Sequence, residues 1–405
     1  MPYLAAFFPK DWQVTHVDEV CETIDYGVRY DLVGLTFHTP SAPHAYEIAD
    51  RFRSRGVTVI MGGPHTTLLP DEALLHADAV FAGEAELTLP RFIDDWIAGR
   101  AKRFYIAEEV PDLGGIPFSR KECFHRKDHS GGILFATRGC PNACEFCTLA
   151  VMYRKKFRRR PVTEAAAEFA SFRGKVVIFW DDNLSADLEY AKTLCKAVTP
   201  YRKWWSSQIS AEAGYDDEFL SLAARSGCKQ FFIGFESVMQ ENLDASRKGF
   251  NRADEYMDIV KRIHAHGIAV QAGFVFGFDG DTPDVFDKTV KFLENAGIQN
   301  ATFHILTPYP GTPLYERLLS EGRILSHDWA KYNARTNVVF APKHMNAEEL
   351  LRGFNEVNRR FYSLRSIGRR LAKSPVGLYW TLPLNLIYHR LWNVKTLNEK
   401  KPNMI

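Results

Sequence analysis

Apolar and polar positions along this chain follow two rhythms. Between residues 10 and 95, short apolar runs at 13–17, 32–37, 57–61 and 79–82 predict strands, and apolar residues at helical spacing over 45–55 and 86–98 predict helices. Strands separated by helices in this way predict a parallel sheet of the doubly wound type, with ligands at the carboxyl ends of the strands. Thr36 to Pro40, Met61-Gly-Gly-Pro-His65 and Gly83-Glu-Ala-Glu86 fall at those ends, and Gly62 and Gly63 would let a ligand come close to the backbone. Residues 105–127 read as a linker punctuated by Pro111, Gly114, Gly115 and Pro117, which puts a domain boundary near residue 118.

Beyond that boundary the alternation returns. An apolar strand runs into Gly139, and strand–helix pairs follow at 176–180 and 188–197, 204–210 and 217–226, 230–235 and 253–266, and 268–276 and 283–296. A last strand covers 301–306. Six strand–helix units predict a partial barrel whose reactive groups gather at the carboxyl ends of the strands. Asp181-Asp-Asn183, Glu236, Gly277-Phe-Asp-Gly-Asp281 and Thr307-Pro-Tyr-Pro-Gly-Thr-Pro313 occupy those ends. Residues 345–405 read as helices. The expected fold is α/β: a doubly wound, Rossmann-like unit with its linker (1–118), a partial (β/α)6 barrel (119–344) and a helical C-terminal segment (345–405).

Composition narrows the class. The 405 residues are 46% hydrophobic with a net charge of +2, which excludes disorder and gives little attraction for nucleic-acid phosphates. Seven cysteines in a chain of this size do not form a disulfide framework, and Cys21, Cys123, Cys195 and Cys228 read as scattered buried thiols. Residues 1–9 lack the basic leader and long apolar region of a signal peptide, and no apolar run reaches the ~20 residues that span a bilayer. No repeat period is evident.

The chemistry centres on Cys140-Pro-Asn-Ala-Cys144-Glu-Phe-Cys147. Three thiols at this spacing on a tight loop can converge on one metal centre. A cubane iron–sulfur cluster usually takes four cysteines, so three leave one iron open to a ligand. A zinc knuckle or three buried thiols is the alternative, although a structural zinc wants four ligands and no fourth Cys or His sits at finger spacing. An oxygen-labile cluster would also imply a reducing compartment, hence the cytoplasm.

This C-x3-C-x2-C pattern resembles the radical S-adenosylmethionine (SAM) superfamily. The resemblance implies a [4Fe-4S] cluster on Cys140, Cys144 and Cys147 whose open iron chelates SAM and whose electron cleaves it to a 5'-deoxyadenosyl radical. It further implies SAM contacts at Phe146 (adenine), Asp181 and Asp182 (methionyl amino group), Glu236, and Gly273 to Gly277, with Asp279 or Asp281 in place of the usual glutamate. A reductant such as flavodoxin or ferredoxin is implied as well. The N-terminal unit is similar to the cobalamin-binding domain that precedes many radical SAM barrels, which implies cobalamin contacts at Gly62, Gly63, His65 and Glu84. In that alignment the first strand, normally central, is absent: either the start codon is misplaced or the domain is reduced. His38 and His65 read equally as loop histidines satisfied by their neighbours.

Two basic regions remain. Tyr153 to Arg160 holds six cations in eight residues, suited to an anionic substrate, to a SAM carboxylate or to cofactor phosphates, and otherwise a solvated basic stretch. Residues 343–405 carry 12 Lys and Arg against 4 Asp and Glu around an apolar, aromatic run at 375–388 interrupted by Pro383. That run either docks on the barrel or touches an anionic membrane surface. The Thr-Pro-Tyr-Pro-Gly-Thr-Pro turn, Trp329 to Tyr332 and residues 361–367 are similar to a branch that includes hopanoid C-methyltransferases. The expected activity is hydrogen abstraction from an unactivated carbon of a small or lipid-like substrate, followed by cobalamin-dependent C-methylation. The alternatives are cobalamin-independent rearrangement, desaturation or carbon–carbon bond formation, a non-catalytic cofactor-binding protein, and an RNA-modifying enzyme. The last lacks the additional N-terminal cysteines and RNA-binding barrel of its type, so no nucleic acid is expected.

Overall fold

Side chains alternate along each strand between the two faces of its sheet, and this alternation organises two separate sheets. The computed structural model describes residues 2–19, 22–120, 131–372, 374 and 376–394. In the N-terminal unit β1 (Leu32–Thr36), β2 (Thr58–Gly62), β3 (Ala79–Ala82) and β4 (Phe104–Ile106) are parallel and lie in the order β1-β2-β3-β4. Helix α1 (Ala42–Arg53) and the short helices Pro64–Leu68 and Pro70–Ala73 pack on the face bearing Val59, Met61 and Val80. Helix α2 (Ala85–Ile97) and the N-terminal Phe7 and Phe8 cover the face bearing Ile60, Phe81 and Tyr105.

Two expectations fail in this unit. Residues 13–17 form no strand: they leave the outer edge of β1 unpaired among the described residues, and Gln13, Val14 and Thr15 line a cavity together with Leu32, Gly34, Leu35 and Thr36 of β1. The expected linker begins with β4, whose three residues are too short to stand out against the Gly and Pro that follow. Strand β1 pairs with β2 from Leu32↔Thr58 to Thr36↔Gly62, and on its other side it is the edge of the described sheet.

The second sheet contains β5 (Gly132–Leu134), β6 (Val176–Phe179), β7 (Trp204–Ile209), β8 (Cys228–Glu236), β9 (Ala269–Phe276) and β10 (Asn300–Ile305), parallel and in chain order. Between them run α3 (Val162–Ser171), α4 (Leu188–Val198), α5 (Asp217–Arg225), α6 (Tyr256–Ala265) and α7 (Val285–Ala296). The helix starts are set by side chains: Asp187 accepts from the Tyr190 amide and Asp216 from the Phe219 amide, each satisfying an otherwise orphaned N–H. Outward residues Phe179 and Phe231 stack on rings of the helix layer, and Phe274 and Phe303 meet such rings edge to face. Their neighbours Ile178, Phe232, Gly273, Thr302 and His304 therefore face the barrel interior.

Helices α8 (Pro313–Ser320), α9 (Ala347–Phe361), α10 (Leu364–Leu371) and α11 (Leu378–His389) complete the chain. Helix α9 opens with a capping box between Asn346 and Glu349. Helix α11 continues through Pro383, the Asn385 amide group donating to the Thr381 carbonyl in the turn that the missing proline N–H loosens. At the base of the barrel Gln230, Gln271, Asn300 and Asn385 form one hydrogen-bonded layer. Buried Arg370 donates there to the carbonyls of Ile298, Gln299 and Phe361 and to Asn385. The C-terminal segment is thus latched to the barrel, with Leu378, Tyr379, Leu382, Leu386 and Ile387 left exposed. Among the described residues no helix is long and apolar enough to cross a membrane.

Candidate functional site

The cysteine loop leaves the barrel at Thr137–Arg138, which pairs antiparallel with Arg158–Arg159. Gly139 has φ 86°, and a Cβ there would lie 2.1 Å from the Lys156 carbonyl oxygen, so only glycine starts this loop. The loop is pinned along its length. The Gly139 amide donates to Asp182 Oδ2 (2.7 Å), the Glu145 amide to the Ser246 carbonyl (3.0 Å) and the Leu314 amide to the Glu145 carbonyl (3.0 Å). Arg317 Nη2 holds the Glu145 carboxylate at 2.8 Å. Cys144 is buried, and Cys140 and Cys147 are partly exposed.

Burial pushes the Cys144 thiol up to about 11 and also raises Cys147, while the Ala150 and Leu149 amides and the Lys248 ammonium oppose the rise at Cys147. Such thiols keep their protons until a metal displaces them. Asn183 Nδ2 stands 3.9 Å from Cys140 Sγ. Three thiols on one rigid loop, with amide and ammonium donors around them, fit a cysteine-ligated iron–sulfur cluster. Among the described residues no three His, Cys, Asp or Glu side chains converge on a point that would hold a single ion.

The strand-end residues divide into those that face this loop and those that support it. Asp181 is a support, contrary to the expected SAM contact. Its Oδ1 accepts from the amides of Ala136 and Thr137 and from the Thr137 hydroxyl, and its Oδ2 is sealed in protein without a partner. Burial raises this carboxyl to about 7 against those donors. Asp182 likewise spends Oδ2 on the Gly139 amide. Glu236 follows a register shift after Gly234, takes φ 64° and pairs with Lys248 at 3.0 Å, near buried Cys144. A Cβ on Gly234 would strike its Oε1 at 2.4 Å. Phe146 packs against the barrel core, 6.0 Å from the Phe278 ring, and Gly273 lies beneath the Phe232 ring. Gly277 has φ 109° and abuts Leu350, a packing role.

Neither aspartate that stands for the usual glutamate is free. Asp281 accepts from the Gly277 and Phe278 amides and from Asn242, and Asp279 is gripped by Arg317, Arg323 and Lys343. Sequence reasoning missed Lys248, Arg317 and His304. Nothing local marks them, since each reaches the site from a distant part of the chain.

In the N-terminal unit a cavity of about 700 Å³ opens over the sheet face formed by Leu32, Gly34, Ile60, Gly62 and Phe81, with Trp12 opposite. Cβ atoms on Gly34 and Gly62 would meet only ordinary contacts and would project into this space. A glycine-floored apolar cavity of this kind fits the flat, apolar part of a cobalamin. Gly63 has a different cause: at φ 99° its Cβ would lie 2.5 Å from Thr36 Oγ1.

The expected cobalamin contacts of His65 and Glu84 are corrected. His65 is fully buried, with Nδ1 against Thr39 Oγ1 (3.2 Å) and Nε2 against Glu72 (3.3 Å). Glu84 is taken by Arg138 Nη1 (2.5 Å) and Arg158 Nη1 (2.6 Å), and Arg138 also holds Glu86 at 2.5 Å. The basic stretch at 153–160 divides: Arg154, Lys155, Lys156 and Arg159 are exposed, as a solvated stretch would be, while Arg158 and Arg160 turn inward. Arg158 joins the two units, Arg159 pairs with Asp187 and Arg160 with buried Glu168. Of the scattered cysteines, Cys195 and Cys228 are buried as expected, and Cys21 and Cys123 lie outside the described residues.

Known proteins can be set beside this geometry. Residues 134–293 match the model of the Radical SAM superfamily, residues 3–93 that of the B12 binding domain and residues 312–380 a Domain of unknown function (DUF4070). The chain is 34% identical over 390 residues to the bacteriochlorophyllide d C-12(1)-methyltransferase of Chlorobaculum tepidum, covering 93% of this chain and 85% of that one. It is 31% identical over 361 residues to the bacteriochlorophyllide d C-8(2)-methyltransferase of the same organism, covering 84% and 80%. Among solved structures, the cobalamin-dependent S-adenosylmethionine radical enzyme OxsB shares the fold with a TM-score of 0.65 at 14% identity, covering 89% of this chain and 63% of that one.

Proposed function

The chain belongs to the cobalamin-dependent radical SAM methyltransferases, and on that premise we propose that it methylates an unactivated carbon on the periphery of a chlorophyllide-type ring. The observation that carries the substrate class is the inner wall of the barrel beside the cysteine loop. Ile133 and Trp180 face inward there and are each 54% exposed, a large apolar surface for a flat macrocycle. The names of the two bacteriochlorophyllide methyltransferases support the same class.

Cys140, Cys144 and Cys147 would hold the [4Fe-4S] cluster, and the cavity over Gly34 and Gly62 would hold part of the cobalamin. When bound, the cluster, SAM and cobalamin supply the electron, the 5'-deoxyadenosyl radical and the methyl group. The protein's own residues position and insulate. Asp182, Asn183 and Arg317 fix the cysteine loop, and the Lys248–Glu236 pair sets charge beside it. Phe146 and Phe278 exclude water from its apolar side. A small electron-transfer protein such as flavodoxin or ferredoxin would deliver the electron. The exposed face of α11, next to a basic segment, would touch an anionic membrane surface, a reading tested by sedimentation with anionic vesicles.

The decisive experiment is anaerobic reconstitution with iron, sulfide and cobalamin, followed by a strong reductant, SAM and a bacteriochlorophyllide. The expected result is 5'-deoxyadenosine together with a singly methylated chlorin. Absence of 5'-deoxyadenosine refutes radical chemistry. Its formation with a methylated non-chlorin acceptor, and none with chlorins, refutes the substrate class. Cys140→Ala should remove the iron–sulfur absorbance while leaving the fold intact by circular dichroism.

A further inference from the structure

His304 occupies an unusual place in the barrel. Phe303 and Ile305 on either side point outward into the helix-packed core, so His304 and Thr302 face the interior. The registers Val275↔His304 and Gly273↔Thr302 set them beside the glycine over which the Phe232 ring lies. Among the described residues neither ring nitrogen of His304 has a hydrogen-bond partner, and the Thr302 hydroxyl is buried without one. Burial, with the nearby Arg335 charge, pushes the imidazole down to about 4. The ring is therefore neutral at working pH and keeps a lone pair that no neighbour uses.

The sealed Thr302 hydroxyl costs stability while it has no partner, which makes it a sign of something it meets in the functional state, and beside it half-buried His304 turns unused ring nitrogens to the barrel interior. The interior offers no set of carboxylates that would take a free divalent ion, since no three acidic, Cys or His side chains converge among the described residues. It offers instead one neutral imidazole, a ring face at Phe232 and the apolar wall of Ile133 and Trp180. A chlorophyllide carries a magnesium ion already held in its plane by four ring nitrogens, with an axial position left for a donor from outside. Neutral imidazole is the commonest protein ligand to a metal.

Resting on the chlorin reading above, we propose that His304 is the axial ligand to the central magnesium of the substrate. One dative bond forms from an imidazole nitrogen to magnesium and one bond from magnesium to a solvent water breaks, with no change of oxidation state. The metal contact fixes how far the ring enters the barrel, and apolar contact with Phe232, Trp180 and Ile133 fixes its plane. The site would then discriminate a magnesium chlorin from the same ring without metal.

The test titrates the full-length, cofactor-loaded protein with a magnesium chlorophyllide and with the corresponding magnesium-free pheophorbide, following chlorin fluorescence. The native protein should prefer the magnesium form by about tenfold or more, the lower end of what losing even a supporting partner costs metal affinity. His304→Ala should bind both chlorins alike, with pheophorbide affinity unchanged as the control for folding, and added imidazole should restore the preference. Resonance Raman coordination bands of the bound chlorin should shift between native and variant. A variant that keeps the preference, or a native protein that shows none, overturns the assignment. Binding of neither chlorin to the native protein overturns the substrate reading itself, and the assignment with it.

Discussion

Replacing Glu84 by glutamine should loosen the junction between the N-terminal unit and the barrel without touching either core. Glu84 bridges Arg138 (2.5 Å) and Arg158 (2.6 Å), and the three side chains are only 7 to 11% exposed. Removing one partner of a buried pair typically costs ~3–5 kcal/mol because a charge is left uncompensated. Here the loss is cushioned: Arg138 keeps Glu86, Arg158 keeps the Pro111 carbonyl at 2.8 Å, and glutamine retains an acceptor oxygen. The expected cost of Glu84→Gln is therefore about 2–3 kcal/mol, or roughly 30- to 150-fold in the opening equilibrium of the junction. Arg138→Met should cost more, since it leaves two buried carboxylates with Arg158 as the described cation that remains on Glu84 and none on Glu86.

A chain of two packed units need not unfold in one step, so the measurement is native-state hydrogen exchange at the amides of residues 104–115 and 137–139. A double-mutant cycle should give a coupling above about 1 kcal/mol. Single costs below about 0.5 kcal/mol that simply add, or a larger effect for Glu84→Gln than for Arg138→Met, would refute the clamp.

Three further outcomes are expected. Asp181 is raised to about 7 in the fold, so its contribution is full below the unfolded value near 4 and is lost as pH rises toward 7. Asp181→Asn should therefore gain on the native chain by roughly 2–3 kcal/mol between pH 5 and 7.5 and no further above it, read from urea midpoints; a flat difference refutes the protonated carboxyl. Asp279 is opposed by burial but held at about 2 by Arg323, Lys343 and Arg317, so its stabilisation is present above pH 4 and fades as pH falls toward 2. Asp279→Asn should cost about 1–2 kcal/mol at pH 7 and converge with the native chain below pH 3 in thermal scans. Arg370→Leu should release residues 372–394 to limited proteolysis while the 5'-deoxyadenosine yield persists, because the guanidinium holds four acceptors at the barrel base and none at the mouth.

The parts of the molecule written in local spacing were legible from the sequence. The cysteine triplet lies within eight residues, and the six barrel strands each carry enough apolar alternation to be found at nearly their true limits. What failed depended on which atom a side chain turns toward. Asp181 and Asp182 were placed correctly at the end of β6, yet the loop folds back over them and takes their oxygens through the amides of residues 136, 137 and 139. The arginines at 158–160 look solvated along the chain, but each meets its carboxylate 8 to 74 residues away. Residues 13–17 have strand-like composition yet stay off the outer edge of β1, an outcome that only the tertiary arrangement decides. The proposed chlorin class was also illegible, because that proposal rests on an open inner wall and not on a motif.

The latch at the barrel base has a consequence for the order in which the protein is made. Asn385 closes onto Asn300 across 85 residues, so β10 leaves the ribosome well before the group that seals it. At typical synthesis rates that interval is about 4 to 17 s. During it the polar layer of Gln230, Gln271 and Asn300 is wet, and the interior can be entered from below as well as from the mouth. Chains halted before residue 370 should show faster exchange at the amides of β8 to β10. Such chains offer a defined state in which to ask whether the cofactors are loaded before or after the barrel is shut.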